Sequence, residues 1–236
     1  MQTLENLYTY KIITKEQHDL IEKAADCLTK TFLGVKVAGK WIQEPIVGEL
    51  NLPYEDFFEF TKEYIEENAY QGYSAVALDH QQNVVGAMVG DTNAFEITGG
   101  NIFEGAFSNM NIVIDALEDI DKRFLEDYKL RYGKEMENGE VLHLFLLGVC
   151  AEQNRQEIVR NLGDILVAKA KLDGLRLVLA EATNPKSMRL LQKFQGLEKY
   201  IDVEGNHIIH KYCDNEHLQK ISPTVADGVY IIVKEI

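Results

Sequence analysis

A mixed-sheet α/β fold is what this sequence predicts, on three observations. Two apolar runs, Val141 to Val149 and Leu175 to Ala182, have the length of strands buried on both faces. Between them, Ile158, Leu162, Ile165, Leu166 and Leu172 recur mostly at helical spacing, which predicts an amphipathic helix from Gln156 to Leu172. Asp173-Gly174 then stops that helix, and Asn184-Pro185 opens another with proline in its first turn. The stretch from Val141 to Tyr200 thus reads β-α-β-α. The first strand-to-helix turn of such a unit is an anion site, because free N–H groups and the positive end of the helix dipole point there.

The other elements follow in order. Tyr8 to Ile13 has the β-branched and aromatic character of a short strand, and Thr14 stands as the N-cap of a helix from Lys15. Leu20, Ile21, Ala24, Cys27, Leu28 and Phe32 form its apolar stripe, so Cys27 reads as a small core residue and not a redox group. Tyr54 to Tyr70 forms a second amphipathic helix, with Phe57, Phe60, Tyr64 and Ile65 opposite a solvated acidic face. Ser74 to Leu78 and Val84 to Val89 make a hairpin joined by the polar turn Asp79 to Asn83. Thr98-Gly99-Gly100-Asn101 is a loop, and a long helix spans about Asn109 to Arg131. After the central unit, Lys199 to Val203, Asn206 to Tyr212 and Gly228 to Val233 read as strands. His207 and His210 lie three apart on one of these and point to opposite faces, so they share no metal and read as structural.

At 236 residues and 46 % hydrophobic content the chain can bury a substantial core, and the absence of repeats or Pro-rich linkers favours one domain over residues 1–236. A formal charge of −14 and a pI near 4.9 argue against nucleic-acid and membrane partners, while a basic amine would be drawn in. Three widely spaced cysteines without a CxxC predict neither a disulfide framework nor a zinc site, and fit a reducing compartment. The first residues lack the pattern of a secretion signal, and no run approaches the roughly 18 apolar residues that span a bilayer. The expected location is cytoplasmic.

Leu147-Gly148-Val149-Cys150-Ala151 leads into Asn154-Arg155-Gln156-Glu157-Ile158-Val159. This resembles the GNAT superfamily of acyl-CoA-dependent N-acetyltransferases, in which a strand ending like Leu-Ser-Val-Asp-Pro precedes Arg-Gly-x-Gly-Ile-Gly or Ala. The resemblance implies a three-layer α/β/α fold and acetyl-CoA as co-substrate, with no metal. It implies cofactor contacts from Leu147, Val149, Asn154, Arg155, Gln156, Glu157, Ile158, Val159 and Arg160, and from Asn184, which matches an Asn-x-x-Ala pattern that touches the pantetheine arm. Val149 and Ile158 fit, but Arg155, Glu157 and Val159 occupy the glycine positions. Glu157 adds bulk and a like charge beside the phosphates, which Arg155 and Arg160 could offset.

Glu44-Pro45 lies after the first helix, where the arylalkylamine branch of the superfamily carries a Glu-Pro pair whose Glu deprotonates the amine. The plain alternative is a surface acid before a proline that fixes a turn. In that branch two hydroxyls four apart, in a segment like Ser-x-x-x-Ser-Ala-Arg, sit near the CoA sulfur. Thr183 and Ser187-Met188-Arg189 have this spacing, so the resemblance casts Thr183 or Ser187 as the group that stabilises the departing thiolate. The alternative is Thr183 as helix N-cap and Ser187 as filler. Leu191 replaces a tyrosine common in relatives, and Lys193-Phe194-Gln195-Gly196-Leu197 is displaced by one from the Lys-x-Gly-Phe pattern. The segment at about 91–140 stands where acyltransferases of the arylalkylamine type carry helices that wall the acceptor pocket, which the resemblance implies here; the plain alternative is a packing insertion. The expected activity is direct acetyl transfer to a primary amine of a small molecule, with Cys150 lacking a neighbouring base for an acyl-carrying role. The altered loop leaves open a second reading, a GNAT-shaped binding or regulatory module without CoA. The acceptor and the oligomeric state are not specified by the sequence.

Overall fold

The computed structural model describes residues 7–37, 39–93 and 102–236. Strand β1 (Thr9–Ile12) leads to helix α1 (His18–Leu33), whose inward face of Ile21, Ala24, Ala25 and Leu28 is fully buried. The sequence placed the cap at Thr14, but the N-cap is Gln17. The Gln17 side chain accepts the Thr14 N–H at 3.0 Å, a local turn that competes with helix and delays its start to His18. A short hairpin that no periodicity signalled follows, β2 (Val35–Val37) and β3 (Lys40–Ile42). Then come α2 (Pro45–Leu50), α3 (Tyr54–Asn68), β4 (Ser74–Leu78) and β5 (Val84–Asp91). The expected loop at Thr98 to Asn101 lies outside the described residues.

Helix α4 (Met110–Tyr132) precedes the predicted β-α-β-α unit: β6 (Val141–Val149), α5 (Arg155–Leu172), β7 (Leu177–Ala182) and α6 (Pro185–Gln195). The stop after α5 falls at Gly174, whose φ of 82° is the left-handed conformation that glycine takes without strain. Strand β7 begins two residues later than the apolar run, because Leu175 N–H still bonds back to Ala170 and Arg176 N–H to Glu140. The next predicted strands shrink to β8 (Glu198–Lys199), an isolated bridge between Ile201 and His207, and β9 (Ile209–Lys211). The Asp202 carboxylate accounts for the break by accepting the N–H groups of Glu204 and Asn206, which folds a turn where a strand was expected. His207 and His210 have separate partners, the Tyr200 carbonyl and the Asp119 carboxylate. The last strand is β10 (Gly228–Glu235).

Apart from the separate β2–β3 hairpin, the strands form one sheet in the order β1-β4-β5-β6-β7-β10-β8, with β9 also on β10. The β6–β7 pair is parallel and the other pairs antiparallel, which makes the sheet mixed. On one face Ile158, Leu162, Leu166, Met188 and Leu191 of α5 and α6 pack over Met88, Leu142, Val178 and Ala180. On the other, α1 to α4 cover Val76, Val89, Val141, Leu179 and Ile231. The result is α/β/α, as expected. A Cβ at Gly86 would stand 2.6 Å from the Ile158 side chain, so the bare backbone there lets the first turn of α5 rest on β5. No helix among the described residues is long and apolar enough to cross a membrane.

Candidate active site

Strands β6 and β7 pair only from Val141–Leu177 to His143–Leu179. Past that point β6 stays with β5 as far as Val149, and β7 stays with β10 as far as Ala182. The two strands therefore part in the middle of the sheet. The gap opens into a cavity that reaches both faces: Val159, Met188 and Leu191 wall one side, while Phe57, Phe60, Met110 and Val113 wall the other. Helices α5 and α6 both begin where the strands have parted, so their N-terminal N–H groups lie at the cavity rim.

Glu44 enters this cavity from α2. It is the N-cap residue, with extended backbone and Pro45 at the first helical position, and its Oε2 accepts the Val47 N–H at 2.8 Å. It is 7 % exposed and so not a surface acid, although together with Pro45 it does set the start of α2. Burial pushes its carboxyl up to about 7, against the N–H groups of Val47 and Ile46 and the nearby Thr183 hydroxyl, which favour the charged form. Thr183 approaches without forming a sound hydrogen bond, and Oε1 has no donor among the described residues. A carboxylate that titrates near neutrality and presents a bare oxygen to a cavity can take a proton from a bound group.

Thr183, Asn184 and Ser187 also line the cavity. Asn184, not Thr183, is the N-cap of α6, its Oδ1 accepting the Lys186 N–H at 2.9 Å. The Thr183 hydroxyl is thereby left free of a capping role. Leu147, Val149, Arg155 and Val159 line the cavity too, and the Arg155 Nε is buried with no partner among the described residues. Asn154 caps α5 through the Glu157 N–H, and its side-chain amide donates to the Glu157 carboxylate at 3.0 Å. The Glu157 charge is therefore turned back onto the cap and makes no ion pair with Arg155 or Arg160. The rest of the predicted set stays off the cavity wall: Gln156 accepts from Lys193, Ile158 is core, and Arg160 lies 4.7 Å over the Phe194 ring.

Three features escaped the sequence reading. Tyr212, 1 % exposed, donates to the Thr183 carbonyl at 2.9 Å and feels the charge of Glu44, which after burial is the next cause holding its hydroxyl protonated. A buried polar chain runs under the gap from the Tyr64 hydroxyl through Asp91 and His143 to Glu181, and the Asp121 carboxyl, hydrogen-bonded to no described residue, lies within reach of the Glu181 charge. Burial alone would lower the His143 pKa, but the charges of Glu181 and Asp91 outweigh it and hold the ring protonated. Burial, then the charge of Glu181, pushes Asp121 up to about 10, so it stands neutral beside Glu181. The signal was present, since a histidine inside an otherwise apolar buried strand requires polar partners. The third feature is a pair of thiols: Cys27 and Cys150, 123 positions apart, bring their sulfurs to 3.7 Å.

No protein-family model matches the chain, and no curated protein sequence matches it. Solved structures do. Arylalkylamine N-acetyltransferase 2 from Aedes aegypti is 14 % identical over 98 % of this chain and all of its own, with a TM-score of 0.64. A Drosophila melanogaster polyamine N-acetyltransferase that forms N-acetylagmatine is 17 % identical over 97 % of this chain and all of its own, with a TM-score of 0.60. The NatC complex bound to Gag peptide and CoA aligns over 98 % of this chain and 99 % of its own at 7 % identity and a TM-score of 0.53. At these identities the likeness establishes the fold, which is that of the GNAT acetyltransferases read from the sequence.

Proposed function

We propose that this GNAT-fold chain is an N-acetyltransferase that moves an acetyl group from acetyl-CoA to a primary amine of a small molecule by direct transfer. The observation that carries the reading is Glu44, a buried carboxyl raised to about 7 with a bare oxygen in the cavity where β6 and β7 part. The residues present also fit CoA. The unpartnered Arg155 Nε and the N–H groups of α5 suit a pyrophosphate, and Val159, Met188 and Leu191 suit an apolar arm leading to Asn184.

When bound, acetyl-CoA supplies the thioester. Glu44 accepts the proton of the ammonium, freeing the nitrogen lone pair, and a backbone N–H near Val149 polarises the carbonyl as its oxygen gains charge. Thr183 or Ser187 donates to the departing thiolate, with Thr183 positioned by the Tyr212 bond to its carbonyl. The aromatic and aliphatic wall of Phe57, Phe60, Met110 and Val113 receives the body of the amine, which gives the 91–140 insertion an acceptor-lining role within a single domain. We place the protein in the cytoplasm, in keeping with three cysteines that are all free in the structure.

The test is a thermal shift with acetyl-CoA followed by turnover on a panel of aryl amines, polyamines and amino sugars. Ligand at about a hundred times its dissociation constant adds roughly 2.7 kcal/mol, a rise in Tm of about 5 to 10 °C for a chain of this size. No shift with acetyl-, propionyl- or free CoA would overturn the reading.

A further inference from the structure

We propose that Cys27 and Cys150 are a dithiol modification site, oxidised by a low-molecular-weight disulfide to an intramolecular bond that ties α1 to the loop entering α5. The geometry is built for it. Cys27 lies on the buried stripe of α1, and Cys150 directly follows β6. A Cβ at Gly148 would stand 3.0 Å from the Leu28 side chain and 3.1 Å from Thr31 Cβ, so this glycine is what lets α1 settle on the strand end. The sulfurs, at 3.7 Å, need to close to about 2.05 Å, and no residue lies between them in the contact they already make.

The two thiols are unequal. Cys150 is half-buried, and the Cys27 hydrogen bond, with help from the Lys30 charge, brings its thiol down to about 7 despite partial burial. Cys27 is 3 % exposed, and its thiol is pushed well up, first by that same bond and then by burial. Cys150, the more exposed of the two, is the thiol an oxidant reaches first and so the attacking one, and buried Cys27 is the resolving thiol. With glutathione disulfide, the Cys150 sulfur bonds to one glutathione sulfur and the other leaves as a thiolate. The Cys27 sulfur, its proton passing to solvent, then attacks Cys150 and expels the second glutathione thiolate. Both thiolates end as glutathione. Two electrons leave the protein thiols, and one glutathione disulfide is reduced.

The tie falls on the loop that leads to Asn154 and Arg155. On the acyltransferase reading, bound acetyl-CoA places its pyrophosphate there, covers Cys150 and repels the anionic oxidant, so the reaction slows.

The experiment exposes the full reduced chain to glutathione disulfide, with and without saturating acetyl-CoA, traps free thiols with N-ethylmaleimide and maps the peptides. The expected product is a Cys27–Cys150 crosslinked peptide with Cys213 still free, and a Tm raised by roughly 5 °C or more. Cys27→Ser should stop at a stable glutathione adduct on Cys150, and Cys27→Ala reports the same if serine at this core position fails to fold. Cys150→Ser should leave Cys27 reduced. A glutathione adduct that persists on Cys150 of the parent without a crosslink, or a crosslink to Cys213, would overturn the proposal. Acetyl-CoA should slow crosslinking at least threefold. If it binds and the rate is unchanged, the coupling to the loop is wrong and the dithiol site stands. If it does not bind at all, the acyltransferase reading fails, and the crosslinked peptide still decides the dithiol site.

Discussion

Glu44→Gln should make the protein more stable and the reaction slower. The amide keeps the size of the carboxylate, and its oxygen can still accept the Val47 N–H that starts α2. The carboxyl has a folded pKa of about 7 against an ordinary 4.5, because burial disfavours its charge. A raised acid contributes its full stability below the unfolded value and loses it as pH climbs through the folded one. Integrating that linkage gives a cost of roughly 3 kcal/mol at pH 7, near zero below pH 4.5, which the neutral amide never incurs. Urea melts of parent and variant at pH 4.5 and 7.5 measure it: little difference at the first, a more stable variant at the second. Turnover moves the other way. Loss of the base should cost about 10²- to 10⁴-fold in kcat, with acetyl-CoA affinity unchanged, and should abolish the rise in parental activity as pH passes about 7. A variant that is less stable at pH 7.5, or that turns over like the parent, would refute the assignment.

Arg155→Ala should weaken acetyl-CoA about tenfold by calorimetry at low salt and less at 0.5 M salt, while a salt-independent loss would mean a steric role. Glu157→Gln should tighten acetyl-CoA by about 1 kcal/mol in the same assay, since it removes a like charge and leaves an amide to meet Asn154; no change would put the phosphates elsewhere. Asp121→Asn should raise stability at pH 7 by roughly 2 to 4 kcal/mol, with the gain vanishing near pH 4, because the parent must take up a proton to fold at neutral pH and the amide need not. A destabilised variant at pH 7 would mean that Asp121 is charged. Tyr212→Phe should lower kcat about tenfold with little change in acetyl-CoA binding if its bond to the Thr183 carbonyl sets the hydroxyl; an unchanged kcat would make it packing alone.

Local pattern carried most of the fold. β6 has the bounds of its apolar run because both its faces are covered, so nothing polar interrupts it except His143. Elements failed where one side chain seized the backbone: Gln17 moved the start of α1, and Asp202 broke a strand into a turn. Glu44 was legible as a residue but not as a chemical group, since its burial depends on segments far along the chain, including Tyr212 and Thr183. The same limit hid the meeting of Cys27 with Cys150 and of His143 with Glu181 and Asp91, contacts made by sheet order and helix packing and not by spacing. The residues that the sequence offered for the cofactor divide similarly. Val149, Arg155 and Val159 reach the cavity, whereas Gln156, Ile158 and Arg160, neighbours on the same helix, turn to α6 or the core.

The most direct test of the central claim is a stoichiometric one: incubate the protein with acetyl-CoA and the amine panel, then quantify free CoA thiol and acetylated amine by mass spectrometry. Direct transfer predicts one acetylamine per CoA released, with no acetyl group left on the protein. CoA release without acetylamine, an acetylated Cys150, or no reaction with any amine while acetyl-CoA binds would contradict it.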